Sequence, residues 1–248
     1  MTELVLAIDA GTTGVRSMFF DKSGNVVARA YSEFESVYPH PSWVEQRAES
    51  WWEKSCETIQ HCIKEENINP EQIVAIGVTN QRETVVPIDK DGAPLRNAIV
   101  WQDRRTVKQC QWIEEKTPPA QVYSITGLTI DPYFTAPKIL WIRENEKAIY
   151  DKADKFLLVH DFLIYRLSGE IVTDYSNASR TLLFDIRECK WSDSILNSLG
   201  ISEEKLPVPV QSGTSVGELN DRAARETGLK QGTPVIAGGG DQQCAALG

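Results

Sequence analysis

Asp9-Ala10-Gly11-Thr12-Thr13-Gly14 places one carboxylate, two hydroxyls and two glycines within six residues. The glycines permit a tight turn whose backbone N–H groups, with the Thr12 and Thr13 hydroxyls, face a phosphate, while Asp9 offers a hard oxygen to hydrated Mg²⁺. An ordinary hairpin turn is the competing reading. Asn80-Gln81-Arg82-Glu83-Thr84 sets donors on Arg82 beside acceptors on Glu83, a pairing that suits polyol hydroxyls, each of which donates and accepts. A salt-bridged surface turn is its alternative. The segment 98–105 ends in Trp101 and Asp103; an indole covers the carbon face of a polyol, and the carboxylate contacts a hydroxyl or caps the next helix. Tyr133, in Asp131-Pro132-Tyr133-Phe134, could add a phenol to the same cleft, although a structural tyrosine is commoner. In Gly238-Gly239-Gly240-Asp241 the glycines allow close approach, and Asp241 stands where a general base for a hydroxyl would sit, or simply caps a helix.

These segments need strands to deliver them. Residues 4–9, 15–20 and 26–30 are short, apolar and separated by turn chemistry, which predicts a three-stranded antiparallel meander. Helical spacing over 45–65 and an apolar run over 73–79 extend this to an α/β unit. Further helices are expected at 104–115, 136–144, 160–167, 192–199 and 221–227, with a last strand at 234–237. Residues 241–248 read as a helix that has only begun, so the sequence reads as cut. No internal repeat or linker stands out, and residues 1–248 read as one domain.

Composition narrows the partners. Lys plus Arg number 26 against 35 Asp plus Glu, a net charge of −9, which disfavours nucleic acid and anionic membranes. The five cysteines lack CxxC spacing, Met1-Thr2-Glu3 has no basic region, and no apolar run approaches a membrane span, so a reducing cytoplasm is expected. Neither GxxxxGK[ST] nor GxGxxG occurs, which excludes a P-loop and gives no sign of a dinucleotide site.

Taken together in order, these blocks resemble the FGGY carbohydrate kinase family, most closely its glycerol-phosphorylating members. The resemblance also includes Trp43-Val44-Glu45, Gly127-Leu128, Thr173-Asp174 and Asn177-Ala178-Ser179-Arg180-Thr181, and covers essentially the whole chain. It implies an α/β, ribonuclease-H-like domain of the actin/hexokinase type, with a mixed central sheet flanked by helices. It also implies ATP and Mg²⁺ as cofactors. By position, Arg82, Glu83, Trp101, Tyr133 and Asp241 correspond to the polyol site and Asp241 to the catalytic base. Asp9 corresponds to the Mg²⁺-associated residue, and Gly11, Thr12 and Thr13 to the first phosphate turn. A second, ATP-binding domain would lie beyond Gly248, making this chain the substrate-binding half, and a homo-oligomer is compatible. Two departures concern substrate: Val159-His160-Asp161-Phe162 does not fit the glycerol-specific pattern, and residues 238–244 look more like sugar kinases of the broader family. A pentulose kinase is therefore the alternative enzyme, and a non-catalytic sugar-binding or actin-like module the alternative of another class. Asp9 and Asp241 argue against the latter, since binding alone needs neither.

Overall fold

The computed structural model describes residues 3–248; Met1 and Thr2, where the lack of a leader's basic region was read, lie outside them. In chain order the elements are β1 (Leu4–Ala10), β2 (Gly14–Asp21), β3 (Val26–Glu33), β4 (Glu45–Gln46), α1 (Ala48–Glu65), β5 (Ile73–Asn80), β6 (Val85–Ile88), β7 (Ala98–Ile99) and α2 (Val107–Lys116). They continue with α3 (Pro119–Thr126), α4 (Thr135–Asn145), α5 (Lys147–Lys152), β8 (Lys155–Leu158), α6 (Val159–Ser168), β9 (Val172–Asp174) and α7 (Tyr175–Ala178). The last are β10 (Phe184–Asp185), β11 (Lys190–Trp191), α8 (Asp193–Leu199), β12 (Val208–Val210), β13 (Ser215–Glu218), α9 (Asp221–Thr227), β14 (Pro234–Gly240) and α10 (Asp241–Leu247).

The main sheet runs β13-β14-β5-β1-β2-β3. The β1–β3 meander is antiparallel as expected, while β5 pairs parallel with both β1 and β14. Leu4, Leu6, Ile8 and Ala10 alternate into the core along β1, the period of a half-buried strand. Trp51, Trp52, Ser55, Thr58, Ile59 and Cys62 form the buried stripe of α1. Ser17 and Thr58, both buried, hydrogen-bond to each other at 2.7 Å and so leave neither hydroxyl unmet.

A second sheet, β4-β7-β6-β8, carries a second core. Along β6, Val86 and Ile88 point into the first cluster and Val85 into the second; along β8, Leu157 joins the first and Phe156 and Leu158 the second. Both faces of these strands are therefore buried, and the two cores share one sheet. Among the described residues no helix is long and apolar enough to cross a membrane.

Two expected helices start late. The helix read from Glu45 begins at Ala48, because Glu45 and Gln46 pair with β7 instead. The helix read from Arg104 begins at Val107; Asp103 does not cap it, because its carboxylate accepts from Val44 N (2.6 Å) and from the Arg105 side chain. Both members of that ion pair are fully buried. The short elements α3, α5, β6 and β8 are absent from the sequence expectations.

Candidate active site

The three parallel strands end at one edge. Asp9 stands level with Thr79 in the β1–β5 register, and Gly240 level with Asn80 in the β5–β14 register, so the turn after β1, the 80–84 loop and Asp241 emerge together. Such a carboxyl-terminal edge of parallel strands is the usual place for a ligand cleft. The glycines make the convergence possible: a Cβ on Gly238 would lie 2.0 Å from the Val78 carbonyl oxygen, and one on Gly240 would lie 2.2 Å from Arg82 Cδ. The short helix α7 holds this loop from below. Gly240 N donates to Ser176 Oγ at 2.8 Å, Ser176 and Ser212 hydroxyls donate to Asp174 Oδ2, and Asn80 and Asn177 exchange two amide hydrogen bonds of 3.0 Å.

Asp241 is the first residue of α10, preceded by Gly240 at the cap, and its side chain is 37% exposed. Its Oδ1 lies 3.6 Å from Arg82 Nε, and that nitrogen makes no hydrogen bond. Asp9 Oδ1 is likewise buried without a hydrogen-bond partner. Burial pushes the Asp9 carboxyl up, the neighbouring Asp241 charge pushes the same way, and Arg16, level with Asp9 on β2, pulls it down. A buried donor and a buried acceptor both left unmet at a strand edge mark a place where a ligand completes the bonding. The unmet Asp9 carboxylate oxygen fits Mg²⁺, which keeps several waters and takes one or two carboxylates plus substrate phosphates. Among the described residues no group of three or more His, Cys, Asp or Glu side chains forms an all-protein metal cage.

Arg82 and Glu83 do not pair with each other, contrary to what their adjacency suggests. Glu83 has a left-handed backbone (φ 61°), which turns its side chain away from that of Arg82. It is 1% exposed, and Oε1 accepts from Arg180 Nε at 2.7 Å. Burial raises the Glu83 carboxyl above its ordinary range, while the Arg180 hydrogen bond and the charges of Arg82, Arg180 and Lys138 oppose that rise. Arg180 also lies over Phe134 (4.9 Å) and Tyr133 (5.8 Å), so one guanidinium links the acidic and aromatic walls.

The aromatic wall is Trp101 and Tyr133, with ring centroids 5.4 Å apart and tilted by 58°. Trp101 Nε1 donates to Thr12 Oγ1 at 3.0 Å, and Trp101 N donates to Thr84 Oγ1 at 3.2 Å, so the indole bridges the first turn and the 80–84 loop. The Tyr133 phenol is pushed up by burial first and then by the Glu83 charge, with Arg82, Arg180 and Asp241 also acting on it. It therefore shares its surroundings with Glu83, Arg82, Arg180 and Asp241. In the first turn, Gly11 N bonds Gly14 O at 3.0 Å and closes the hairpin, so that donor is not free for phosphate as the sequence suggests. Thr13 Oγ1 hydrogen-bonds with the Tyr31 hydroxyl at 3.0 Å.

The structure thus brings Asp9, Gly11, Thr12, Arg82, Glu83, Trp101, Tyr133 and Asp241 to one edge. Sequence reasoning missed Arg180 and Arg16. Arg180 lies in the segment 177–181, but nothing local shows that it meets a residue 97 positions away. The broad concavity of about 580 Å³ beside Glu53, Cys56, His61 and Glu226 contains none of these side chains.

Residues 4–248 match the N-terminal domain of the FGGY family of carbohydrate kinases. The chain belongs to this family. Over its whole length it is 42% identical to glycerol kinase of Thermococcus gammatolerans, covering 50% of that protein, and 40% identical to glycerol kinase of Bacillus mycoides, covering 51%. The chain therefore spans about half the length of the curated relatives it matches. Plasmodium falciparum glycerol kinase with ADP superimposes with a TM-score of 0.91 at 28% identity, over 99% of this chain and 50% of that one. Xylulose kinase from Rhodospirillum rubrum, at 24% identity, has a TM-score of 0.94 over 99% and 50%, a likeness of fold alone. The fold is the actin/hexokinase-like α/β fold of these FGGY kinases.

Proposed function

We propose that the intact protein transfers the γ-phosphoryl group of ATP to a terminal hydroxyl of glycerol, giving glycerol 3-phosphate and ADP, and that this chain supplies the polyol site and the general base. The observation that carries this reading is the meeting of Asp241 with Arg82 at the strand edge that also holds the unpartnered Asp9 Oδ1. Glu83 accepts from one polyol hydroxyl and the free donors of Arg82 and Arg180 serve another, while Trp101 and Tyr133 cover the carbon chain. The terminal oxygen forms its bond to the γ-phosphorus as the bond to the ADP oxygen breaks, and its proton passes to Asp241. Phosphoryl transfer depends mainly on positioning and charge neutralisation, so a weak carboxylate base is sufficient. Asp9 would hold the Mg²⁺, which neutralises phosphate charge. Thr12, Thr13 and Arg16 face the phosphates from this side. The remaining wall of the nucleotide site comes from the other half of the relatives' length, and the reaction belongs to the cytoplasm.

The test is a coupled assay of the intact protein on glycerol, xylulose and other polyols, with Asp241→Asn as the variant. Removing a general base that keeps its shape lowers kcat by roughly 10²–10⁴-fold with a smaller effect on KM. Near-normal turnover in that variant rejects Asp241 as the base, and faster phosphorylation of a pentulose than of glycerol reassigns the substrate.

A further inference from the structure

Lys138 is fully buried in the first turns of α4, a residue type almost never found without exposure unless its charge is matched. Its Nζ donates to three consecutive carbonyls, Pro132 O at 3.0 Å, Tyr133 O at 2.5 Å and Phe134 O at 2.8 Å. Three acceptors match the three N–H bonds of an ammonium group. Neither burial nor the helix favours this cation: it stands near the N-terminal, positive end of α4, and an apolar side chain of similar volume would stabilise a core at least as well. What the lysine uniquely does is gather the backbone of the turn that carries Tyr133.

We propose that Lys138 is a positioning residue of the polyol site, whose ammonium group clamps the 132–134 turn and so sets the Tyr133 ring against Trp101. This rests on the reading above, in which those two rings form the substrate wall. Lys138 touches no reacting atom. The clamp is also sensitive to pH. Burial pulls Lys138 down to about 7, with Glu83, Asp103, Cys110 and Asp131 raising it against that pull. A neutral amine keeps only two of its three N–H bonds, so as pH rises through about 7 one of the three carbonyls loses its donor and the turn loosens. The Tyr133 phenol does not titrate in that range, because burial holds it above its ordinary value.

The test uses the intact protein carrying 3-fluorotyrosine, with the Tyr133 resonance assigned by its loss in Tyr133→Phe. Its ¹⁹F shift is expected to titrate with a midpoint near 7 in the unliganded protein and to become flat in Lys138→Met. Loss of all three hydrogen bonds from this charged donor is expected to raise the KM for glycerol by at least about tenfold. The KM for ATP is expected to change less than about twofold, because uniform loss of substrate binding alters one substrate's KM alone. Lys138→Gln, which keeps an amide donor but cannot titrate, replaces the methionine variant if that one does not fold, and it too is expected to give a flat profile. A flat wild-type profile, a titration that survives in either variant, or equal changes in both KM values overturns the inference. Absence of glycerol turnover in the wild type rejects the glycerol reading of the site, while the fluorine titration still decides the role of Lys138.

Discussion

Glu83 shows how one backbone angle redirects a side chain's chemistry. A non-glycine residue at φ 61° is uncommon, and here it sends the carboxylate to Arg180 and leaves Arg82 for Asp241. The folded-state carboxyl is raised by burial, so its contribution to stability is present below the ordinary glutamate value and is lost as pH rises through the folded value. Glu83→Gln removes that pH-dependent loss, and Arg180, 25% exposed, hydrates when its partner goes. The variant in the intact protein is therefore expected to match the wild type in denaturant stability at neutral pH, while kcat/KM for glycerol falls by at least about tenfold, a charged hydrogen bond being worth about 1.5–3 kcal/mol. Unfolding curves across acid to neutral pH and steady-state kinetics check the two halves. A large loss of stability with unchanged glycerol kinetics would make the Glu83–Arg180 pair structural.

At the scale of elements, the decisive contact is between β14 and β5. Gly238 faces the Val78 backbone so closely that an added Cβ would sit 2.0 Å from its carbonyl oxygen, and backbone on both sides cannot rotate away. Gly77, on the same β5 strand, has nothing within 4 Å of an added Cβ. Gly238→Ala is expected to separate the strands at a cost of about 1–3 kcal/mol, the usual range for overpacking. In a chain of this size that lowers Tm by about 2–4 °C per kcal/mol, measurable by calorimetry. Gly77→Ala is the matched control and should leave Tm nearly unchanged; equal losses in both would show that strand glycine content, and not the close approach, sets the stability. Because β14 delivers Asp241, the Gly238 variant should also lose more activity than its stability change alone explains.

At the scale of the molecule, two cores meet across β6 and β8, and the chemistry gathers along one open edge of the larger sheet. In the proposed reaction this edge would supply a base, a polyol wall and part of a phosphate turn. Phosphoryl transfer needs the reacting atoms held in line and kept from water, which one wall does not do. The 248-residue chain by itself is therefore expected to produce no ADP above background when given ATP, Mg²⁺ and glycerol. A coupled assay on that purified chain checks this, and glycerol-dependent ADP formation would refute it.

Local pattern alone determined the meander of β1–β3, the strand at β5, the amphipathic α1 and the last strand, because each rests on a period or a turn that its own residues set. The family, too, was legible, since its blocks are short and lie in order. Less legible were β6 and β8, which are buried on both faces and so lack the alternation that marks a half-buried strand. Adjacency suggested an Arg82–Glu83 pair, and Asp103 read as a contact to a hydroxyl or a cap of the next helix. Only tertiary structure could pair Glu83 with Arg180, Arg82 with Asp241 and Asp103 with Arg105 and Val44 N, because each charge goes to whichever partner the packed backbone brings within reach. The same holds for Lys138, whose burial under three carbonyls exists only once the 132–134 turn folds over it.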